Sequence, residues 1–378
     1  MTAHDRILTV NAGSSSLKLS VLGPGGEVIK SADMPAPSGS AGDDAALAGQ
    51  LANLGPVEGV GHRIVHGGTR YRGPVRLSPE VRRQLAALTD LAPLHQPKSL
   101  AALDAVAEAL PDIPAVACFD TAFHTTIPDA AATFALPQEW RERWTLRRFG
   151  FHGLSHSYAS RRAAEMLRAA RTDHHPAATR IVTCHLGAGA SLAAVRDGRC
   201  VDTTMGFTPL DGLIMATRSG AVDPGLVLWL EEHEGLPQAE VNETLEKRSG
   251  LLGLTGTGDM REVLSRAAAG DKRAALGRDV YLHRLRGAIA AMAAAMDGLD
   301  ALVFTGGVGE HSPEIRSRAV GGLGFLGVRL DEARNAAAPE ADDYEIGAAG
   351  PPARTFVIAA REDVEIATQT RAVLSQQP

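Results

Sequence analysis

The chain has 378 residues and a mass of 39.6 kDa, a length that suits two domains at roughly 100–200 residues each. A hydrophobic content of 44% with 22% charged residues excludes a wholly disordered chain. A net charge of −6, only 4% aromatics and no long basic run argue against a nucleic-acid partner or an anionic membrane surface.

In chain order, residues 7–10 form a β-branched run ending in NAGSSS. Leu17, Leu19 and Val21 then alternate with polar residues, as in a half-buried strand. GPGGE turns the chain into a third strand that begins at Val28 and Ile29. Residues 32–55 are rich in Ala, Gly, Ser, Pro and Asp and read as a loop with a modest helix. Residues 59–65 read as a strand. Ser78-Pro79-Glu80 opens a helix, with Ser at the N-cap and Pro at the first helical position. A helix over 98–109 closes at Pro111, and a strand over 113–119 stops at Asp120. Further helices are expected over 224–234, 240–249, 260–269 and 272–296. Strands are expected over 302–304 and 355–359. The last helix covers 362–376, with acids in its first turn, where the helix dipole favours them.

The opening recurs. Residues 180–205 repeat the strand, glycine turn, strand, glycine turn, strand plan of residues 6–29. Ile7 matches Ile181, Thr9 matches Thr183, Asn11 matches His185 and Gly13 matches Gly187. A repeat at this separation implies two related α/β domains rather than a solenoid. Cys118, Cys184 and Cys200 form no CxxC pair, which suits reduced thiols in a cytoplasmic protein. The N-terminus lacks an apolar signal core, and the most apolar stretch, 288–296, is too short to span a bilayer.

Glycine is over-represented: there are 40, against about 26 at average usage. Four glycine-rich turns follow apolar runs, at Asn11, His185, Gly256 and Gly306. Such turns bring backbone N–H groups close to phosphate oxygens, and serine hydroxyls add donors. GxxxxGK[ST] is absent, and the GxG turns at Gly187, Gly256 and Gly307 carry Leu192, Arg261 and Ser312 where GxGxxG needs its last glycine, which counts against a P-loop NTPase and a dinucleotide dehydrogenase. Lys18 lies just beyond the first turn, where a cation would suit a phosphate or simply face water. Two histidine pairs have HxxxH spacing. His62 and His66 lie on a strand, where they would stand roughly 13 Å apart, too far for one metal. His152 and His156 lack the glutamate of a zinc hydrolase. Arg63 sits in an apolar strand and needs a partner, either a structural carboxylate or a bound carboxylate or phosphate. Arg218, between glycine-bearing turns, presents the same choice. Asp120 and Glu362 both follow strand ends, and two such carboxylates suit Mg²⁺.

Nine motifs taken in order closely resemble the acetokinase family, within the actin-like, sugar-kinase-like ATPase superfamily. They are ILTVNAGSSSLK, VGHRIVHGG, APLHQP, CFDTAFH, RRFGFHGLSH, VTCHLGAGAS, DTTMGFTPLDGLIMATRSG, FTGGVGEHS and REDVEIA. The resemblance implies an α/β protein of two duplicated RNase H-like, actin-like ATPase domains around a cleft. The boundaries expected are 1–121 plus 363–378 for the first domain and 122–362 for the second, nucleotide-binding one. It also implies reversible phosphoryl transfer between ATP and acetate, giving acetyl phosphate and ADP, with Mg²⁺ or Mn²⁺, in a cytoplasmic homodimer that pairs through the second domain.

Carried over residue by residue, the resemblance assigns Asn11 and Glu362 to the metal. It assigns Asp120, His152 and Arg218 to catalysis. Arg63, Val65, Leu94, Phe151 and Pro209 would bind acetate, the arginine taking its carboxylate and the others its methyl group. Lys18, Ser14, Ser16, His185, Leu186, Gly187, Ala188 and Gly189 would hold the phosphates. Asp259, Met260, Arg261, Gly307, Val308, Gly309, Glu310 and His311 would contact the rest of the nucleotide. Ala188 and His311 replace asparagines frequent in the family, both on the nucleotide side. Acetate is already ionised at neutral pH, so attack on ATP needs no general base, and Asp120 is expected to orient other groups. Two other readings stand beside this one. A propionate or other short-chain acyl kinase would differ only at the apolar pocket, and a non-enzymatic actin-like ATPase module would keep the glycine turns without needing Arg63, His152 and Arg218.

Overall fold

A computed structural model describes residues 5–13, 16–35, 41–92, 96–169, 178–337, 339 and 342–376. The chain divides into two compact units. Unit 1 comprises Met1–Thr125, Phe151–Tyr158 and Arg361–Pro378, and unit 2 comprises Thr126–Gly150 and Ala159–Ala360.

Unit 1 is built on a six-stranded sheet of β1 (Ile7–Ala12), β2 (Ser16–Leu22), β3 (Val28–Pro35), β4 (Gly59–Ile64), β5 (Val75–Arg76) and β6 (Ala115–Phe119), in the order β3-β2-β1-β4-β6-β5. β1, β4 and β6 are parallel, while β2 and β3 form an antiparallel meander with β1. β3 runs well past the expected Val28–Ile29 start. The alanine- and glycine-rich stretch after it forms a full 14-residue helix, Ala41–Leu54, rather than a modest one in a loop. The reason is a stripe of Leu47, Leu51 and Leu54 at helical spacing. These residues bury against Leu8, Val10 and Val60 of the sheet and outweigh the weak propensity of the small residues around them. The helix Gln96–Ala109 packs beside it through Ala102 and Val106.

The other face of this sheet is covered by the helix Glu362–Ser375. β4 meets that helix with glycine. A Cβ on Gly61 would lie 2.3 Å from Thr370 Oγ1, and one on Gly59 would lie 2.6 Å from Leu374 Cδ1. The two glycines let strand and helix approach to backbone distance.

Unit 2 repeats the plan with β7 (Arg180–Leu186), β8 (Ala190–Arg196), β9 (Arg199–Thr203), β10 (Ala301–Thr305), β11 (Tyr344–Glu345) and β12 (Arg354–Val357). The order is β11-β12-β10-β7-β8-β9, with β7, β10 and β12 parallel and β8 and β9 antiparallel. Read from its outer meander strand, each sheet has the same five strands in the same directions, closed by a short antiparallel strand at the far edge. The repeat seen in the sequence extends to side chains: Thr9 and Thr183 each donate a hydroxyl to a carbonyl of the neighbouring strand, Ser20 O and Ala193 O. This is the duplicated RNase H-like architecture expected above. The helix expected over 240–249 is interrupted. Gln238–Glu243 is α-helical, Thr244–Arg248 widens into a π-helical turn, and a new helix, Gly250–Thr255, follows.

Candidate active site

The chemistry-bearing residues of unit 1 gather where its parallel strands end. In open α/β sheets ligands bind outside the carboxyl ends of such strands. Asn11 stands at the end of β1, Arg63 near the end of β4, and Asp120 immediately after β6. Glu362 is the first residue of the helix Glu362–Ser375, where the helix dipole favours an anion. They form one hydrogen-bonded cluster. Arg63 Nη2 donates to Asp120 Oδ2 at 2.6 Å, and Nε donates to the same carboxylate at 3.1 and 3.2 Å. Arg63 Nη1 donates to Asn11 Oδ1 at 3.1 Å, and Asn11 Nδ2 donates to Glu362 Oε2 at 2.7 Å. The two outermost residues are 351 positions apart in sequence.

Asp120 is buried, so removal from water pushes its carboxyl upward, while Arg63 pulls it down and Glu362 adds repulsion. Burial acts against the Arg63 charge, but Asp120 and then Glu362 outweigh it and hold the guanidinium above its ordinary value. Two carboxylates against one guanidinium leave an excess negative charge. With Asp120 held by Arg63, the Glu362 carboxylate and the Asn11 carbonyl are oxygen donors of the kind that fits Mg²⁺, which is held by one or two carboxylates and completes its shell with water and phosphate.

Beside the cluster, Val65 and Phe151 are buried apolar side chains. The Phe151 ring meets the His66 imidazole edge-on at 5.6 Å between centroids. His66 is clamped: its amide donates to Gln96 Oε1, its carbonyl accepts from Gln96 Nε2, and its Nδ1 accepts from the Gly68 amide. Burial holds His66 down near about 4, so the ring is neutral. Gln96, wholly buried, lies in the APLHQP motif, but its role is legible only once β4 and the helix it opens are brought together. His152 has a left-handed backbone, φ +57°, just before the helix Gly153–Ala169. A side chain is held there at a cost of roughly 1–3 kcal/mol, and such residues cluster at active sites. Gly153 is the residue that permits this turn, since a Cβ would lie 2.1 Å from Asp120 O. Lys18 lies opposite Asn11 in the β1–β2 ladder with its side chain exposed, and Ser16 begins β2. Ser14 and Leu94 lie outside the described residues.

Unit 2 carries a cavity of about 820 Å³. Of the residues expected at a nucleotide, it is lined by Gly187, Ala188, Asp259, Met260, Arg261, Gly307, Val308 and His311. His185, Leu186, Gly189, Gly309 and Glu310 are absent from its wall. Leu251, Leu264 and Tyr281 supply apolar wall from outside the motifs, and Met215 adds to it from within the 202–220 motif. The β7–β8 turn is tight, with Gly187 N donating to Gly189 O at 2.9 Å, and Ala188 O accepts from Ala216 N at 3.0 Å. The Glu310 carboxylate is engaged by the backbone, accepting from Gly306 N and Ala360 N. GGVGEH is a helix, Gly306–His311, starting directly at the end of β10. Gly306 has φ +76° and lies against the Leu186 backbone, which calls for glycine there.

Arg316, one of the most buried side chains, braces that helix. Its Nη1 donates to Gly309 O and Glu310 O, and its Nε and Nη2 donate to Asn335. Burial lowers its pKa to about 10. No motif signals Arg316, because its partners are formed by the fold. Arg218 is three-quarters or more buried and faces Glu246, with Nε 3.4 Å from Oε2, while its Nη1 donates to Pro209 O at 3.2 Å. Burial pushes Arg218 down and Glu246 pushes it back up.

Residues 46–368 match the acetokinase family. An acetate kinase of Nostoc punctiforme is 48% identical over 318 residues, covering 84% of this chain and 76% of that one. The crystal structure of Porphyromonas gingivalis acetate kinase superposes with a TM-score of 0.87 at 34% identity, over 98% of this chain and 100% of that one. A propionate kinase from Francisella tularensis superposes with a TM-score of 0.88 at 33% identity, over 99% and 100%. With most of its length matched in sequence and both of its sheets matched in structure, the chain belongs to the acetokinase family.

Proposed function

We propose that this protein is an acetate kinase, transferring the γ-phosphoryl group of ATP to acetate and running in reverse from acetyl phosphate and ADP. The observation that carries the reading beyond family membership is the Arg63–Asp120 pair. Both oxygens of the Asp120 carboxylate face the guanidinium, so Asp120 is committed to holding an arginine. That suits an acceptor which arrives already ionised and needs no proton removed. An acetate oxygen attacks the γ-phosphorus, the bond to the bridging β–γ oxygen breaks, and ADP leaves with that electron pair.

In this reading Arg63 takes the acetate carboxylate, oriented by Asp120 on one side and Asn11 on the other. Val65 and Phe151 receive the methyl group, with Pro209, held through its carbonyl by Arg218, as a further apolar contact. The transition state is loose, with charge spread over the equatorial oxygens of the transferring group. Arg218 and His152 are assigned to stabilise that charge. Asn11 and Glu362 would hold Mg²⁺, which when bound offsets phosphate charge. The unit 2 cavity takes the nucleotide, and Lys18 and Ser16 are assigned to its phosphates. Ala188 leaves the turn with backbone donors alone, where an asparagine would add a side chain.

The large apolar side chains Leu226, Leu228 and Trp229 are exposed on the helix Pro224–Glu232, and Trp140 and Trp144 are exposed elsewhere on unit 2. We assign these to a homodimer interface. No described helix is long and apolar enough to cross a membrane, and Cys118, Cys184 and Cys200 are buried thiols outside any disulfide, which supports a cytoplasmic setting.

Likeness to a propionate kinase keeps the longer acid in play, since one methylene in an apolar pocket is worth only about 1–3 kcal/mol. The test is to trap acyl phosphate with hydroxylamine, supplying ATP, Mg²⁺ and acetate, propionate or butyrate. Acetyl hydroxamate is expected at the highest kcat/KM. Absence of hydroxamate with every acid would overturn the reading, and a higher kcat/KM with propionate would reassign the substrate.

A further inference from the structure

The segment carrying Arg218 is clamped on the π-helical turn Thr244–Arg248, which lies outside every motif, by a set of hydrogen bonds. Ser219 N donates to Leu245 O at 3.0 Å, Thr217 Oγ1 donates to Glu246 O at 3.0 Å, and Ser249 N donates to Thr217 O at 2.9 Å. Immediately after the turn, Gly250 has φ +62°. A Cβ there would lie 2.3 Å from Met215 O and 2.6 Å from Arg218 O, so the two backbones touch. Single π turns inside α-helices occur frequently at functional sites. Here the turn ends the helix that begins at Gln238, since Ser249 after it is extended, and it presents one carboxylate, Glu246, to the Nε edge of Arg218 at 3.4 Å. The Glu246 and Arg218 side chains are only 13% and 18% exposed. Two charges this far removed from water depend on each other.

We propose that Glu246 is a positioning residue for phosphoryl transfer: seated on the π turn, it holds the Arg218 guanidinium in its working orientation. The inference rests on the acetate kinase reading and on the role of Arg218 within it. Glu246 takes the Nε edge, and Pro209 O and Met215 Sδ take Nη1. Contacts on two edges of a planar, rigid fork fix its plane as well as its place. A guanidinium that lost its Nε partner would keep its charge but swing about its stem. Misplacement by about 1 Å is enough to cost about 100-fold in rate. Because Arg218 acts on charge that develops in the transition state, the loss falls on kcat and leaves KM for acetate and ATP nearly unchanged.

The test is a double-variant cycle in the hydroxamate assay, using Glu246→Gln, Glu246→Asp, Arg218→Ala and Arg218→Ala with Glu246→Gln. Glu246→Gln is expected to lower kcat about 100-fold with both KM values within about twofold. Glu246→Asp, which keeps the charge, is expected to recover part of that loss even if the glutamine variant folds poorly. In the Arg218→Ala background Glu246→Gln should have almost no further effect, because the group it positions is gone. Added guanidinium chloride should restore part of the activity of Arg218→Ala, and that restoration should vanish when Glu246 is also replaced. A Glu246→Gln enzyme within about threefold of the parent overturns the proposal, as does a full additional loss in the Arg218→Ala background. If Arg218→Ala itself retains activity, the role of Arg218 falls and this proposal with it. If the unsubstituted enzyme forms no hydroxamate, it is the acetate kinase reading that fails.

Discussion

The two sheets are the same scaffold used twice, and the difference between them lies at the strand ends. Carried through the pairing registers, Asn11, Arg63 and Asp120 of unit 1 stand where unit 2 has His185, Thr305 and Ala360. In unit 1 the three positions hold a buried ion pair and its amide neighbour. In unit 2 they hold one imidazole, one buried hydroxyl and an alanine, and the polar work passes to backbone turns around Gly187 and Gly306. In the proposed reading, one copy offers fixed side-chain charge to a small anion, and the other offers glycine turns and an apolar wall to a larger ligand. Duplication conserved the hydrogen-bonded frame, including the paired Thr9 and Thr183, and left the strand ends to diverge.

The largest effect should come from Arg63→Ala. It leaves the buried Asp120 carboxylate without the guanidinium that both of its oxygens face, a change that typically costs about 3–5 kcal/mol. Unit 1 should be destabilised by that amount in denaturant unfolding, and hydroxamate formation should be abolished. Thr305→Ala, at the matching position of unit 2, should change stability by less than about 1 kcal/mol, since its hydroxyl has no hydrogen-bond partner among the described residues. Equal effects at the two positions would remove the contrast.

Acid should separate the units next. His62, His66 and His124 all lie in unit 1, and burial holds each near about 4 instead of 6.5. Between these values the unfolded chain binds protons that the folded chain refuses. Stability is therefore full above about pH 6.5 and falls as the pH drops toward 4. All three tryptophans, Trp140, Trp144 and Trp229, belong to unit 2. On acidification from pH 7 to 4.5, hydrogen exchange in unit 1 should therefore accelerate before tryptophan emission changes. Emission changing first would break the comparison.

The smallest effect sharpens it. Gly61 of β4 corresponds by register to Val303 of β10. Gly61→Ala should overpack against Thr370 and Ile366 at about 1–3 kcal/mol. Val303→Ala should leave a cavity costing about 2 kcal/mol. Similar losses of opposite origin are expected in thermal unfolding, and the cavity alone should be relieved by restoring a larger apolar residue.

Much of this was legible without coordinates. Ile7 to Val10 and its copy at Ile181 announce themselves by β-branched runs, and Gly13 and Gly187 by what must follow a strand that turns back at once. Those are local signals, set by the two-residue period of a strand and by the freedom of glycine. The helix Ala41–Leu54 was underread because alanine and glycine mask the three leucines that decide it. The π turn within 240–249 has an ordinary helical sequence, and its bonds to the Thr217–Ser219 backbone join segments that sequence alone does not pair.

By itself, then, the amino-acid sequence determined the duplicated α/β plan, the glycine turns and membership of the acetokinase family, because each is written in short-range pattern and ordered motif. Tertiary structure alone decided the partners. Asn11 reaches Glu362 across 351 residues, Arg63 grips Asp120, Arg316 braces a helix that begins ten residues earlier, and Glu246 faces Arg218. The reason is physical. A charge in an apolar strand shows that a counter-charge must exist, but only the packing of distant elements settles which one comes within reach.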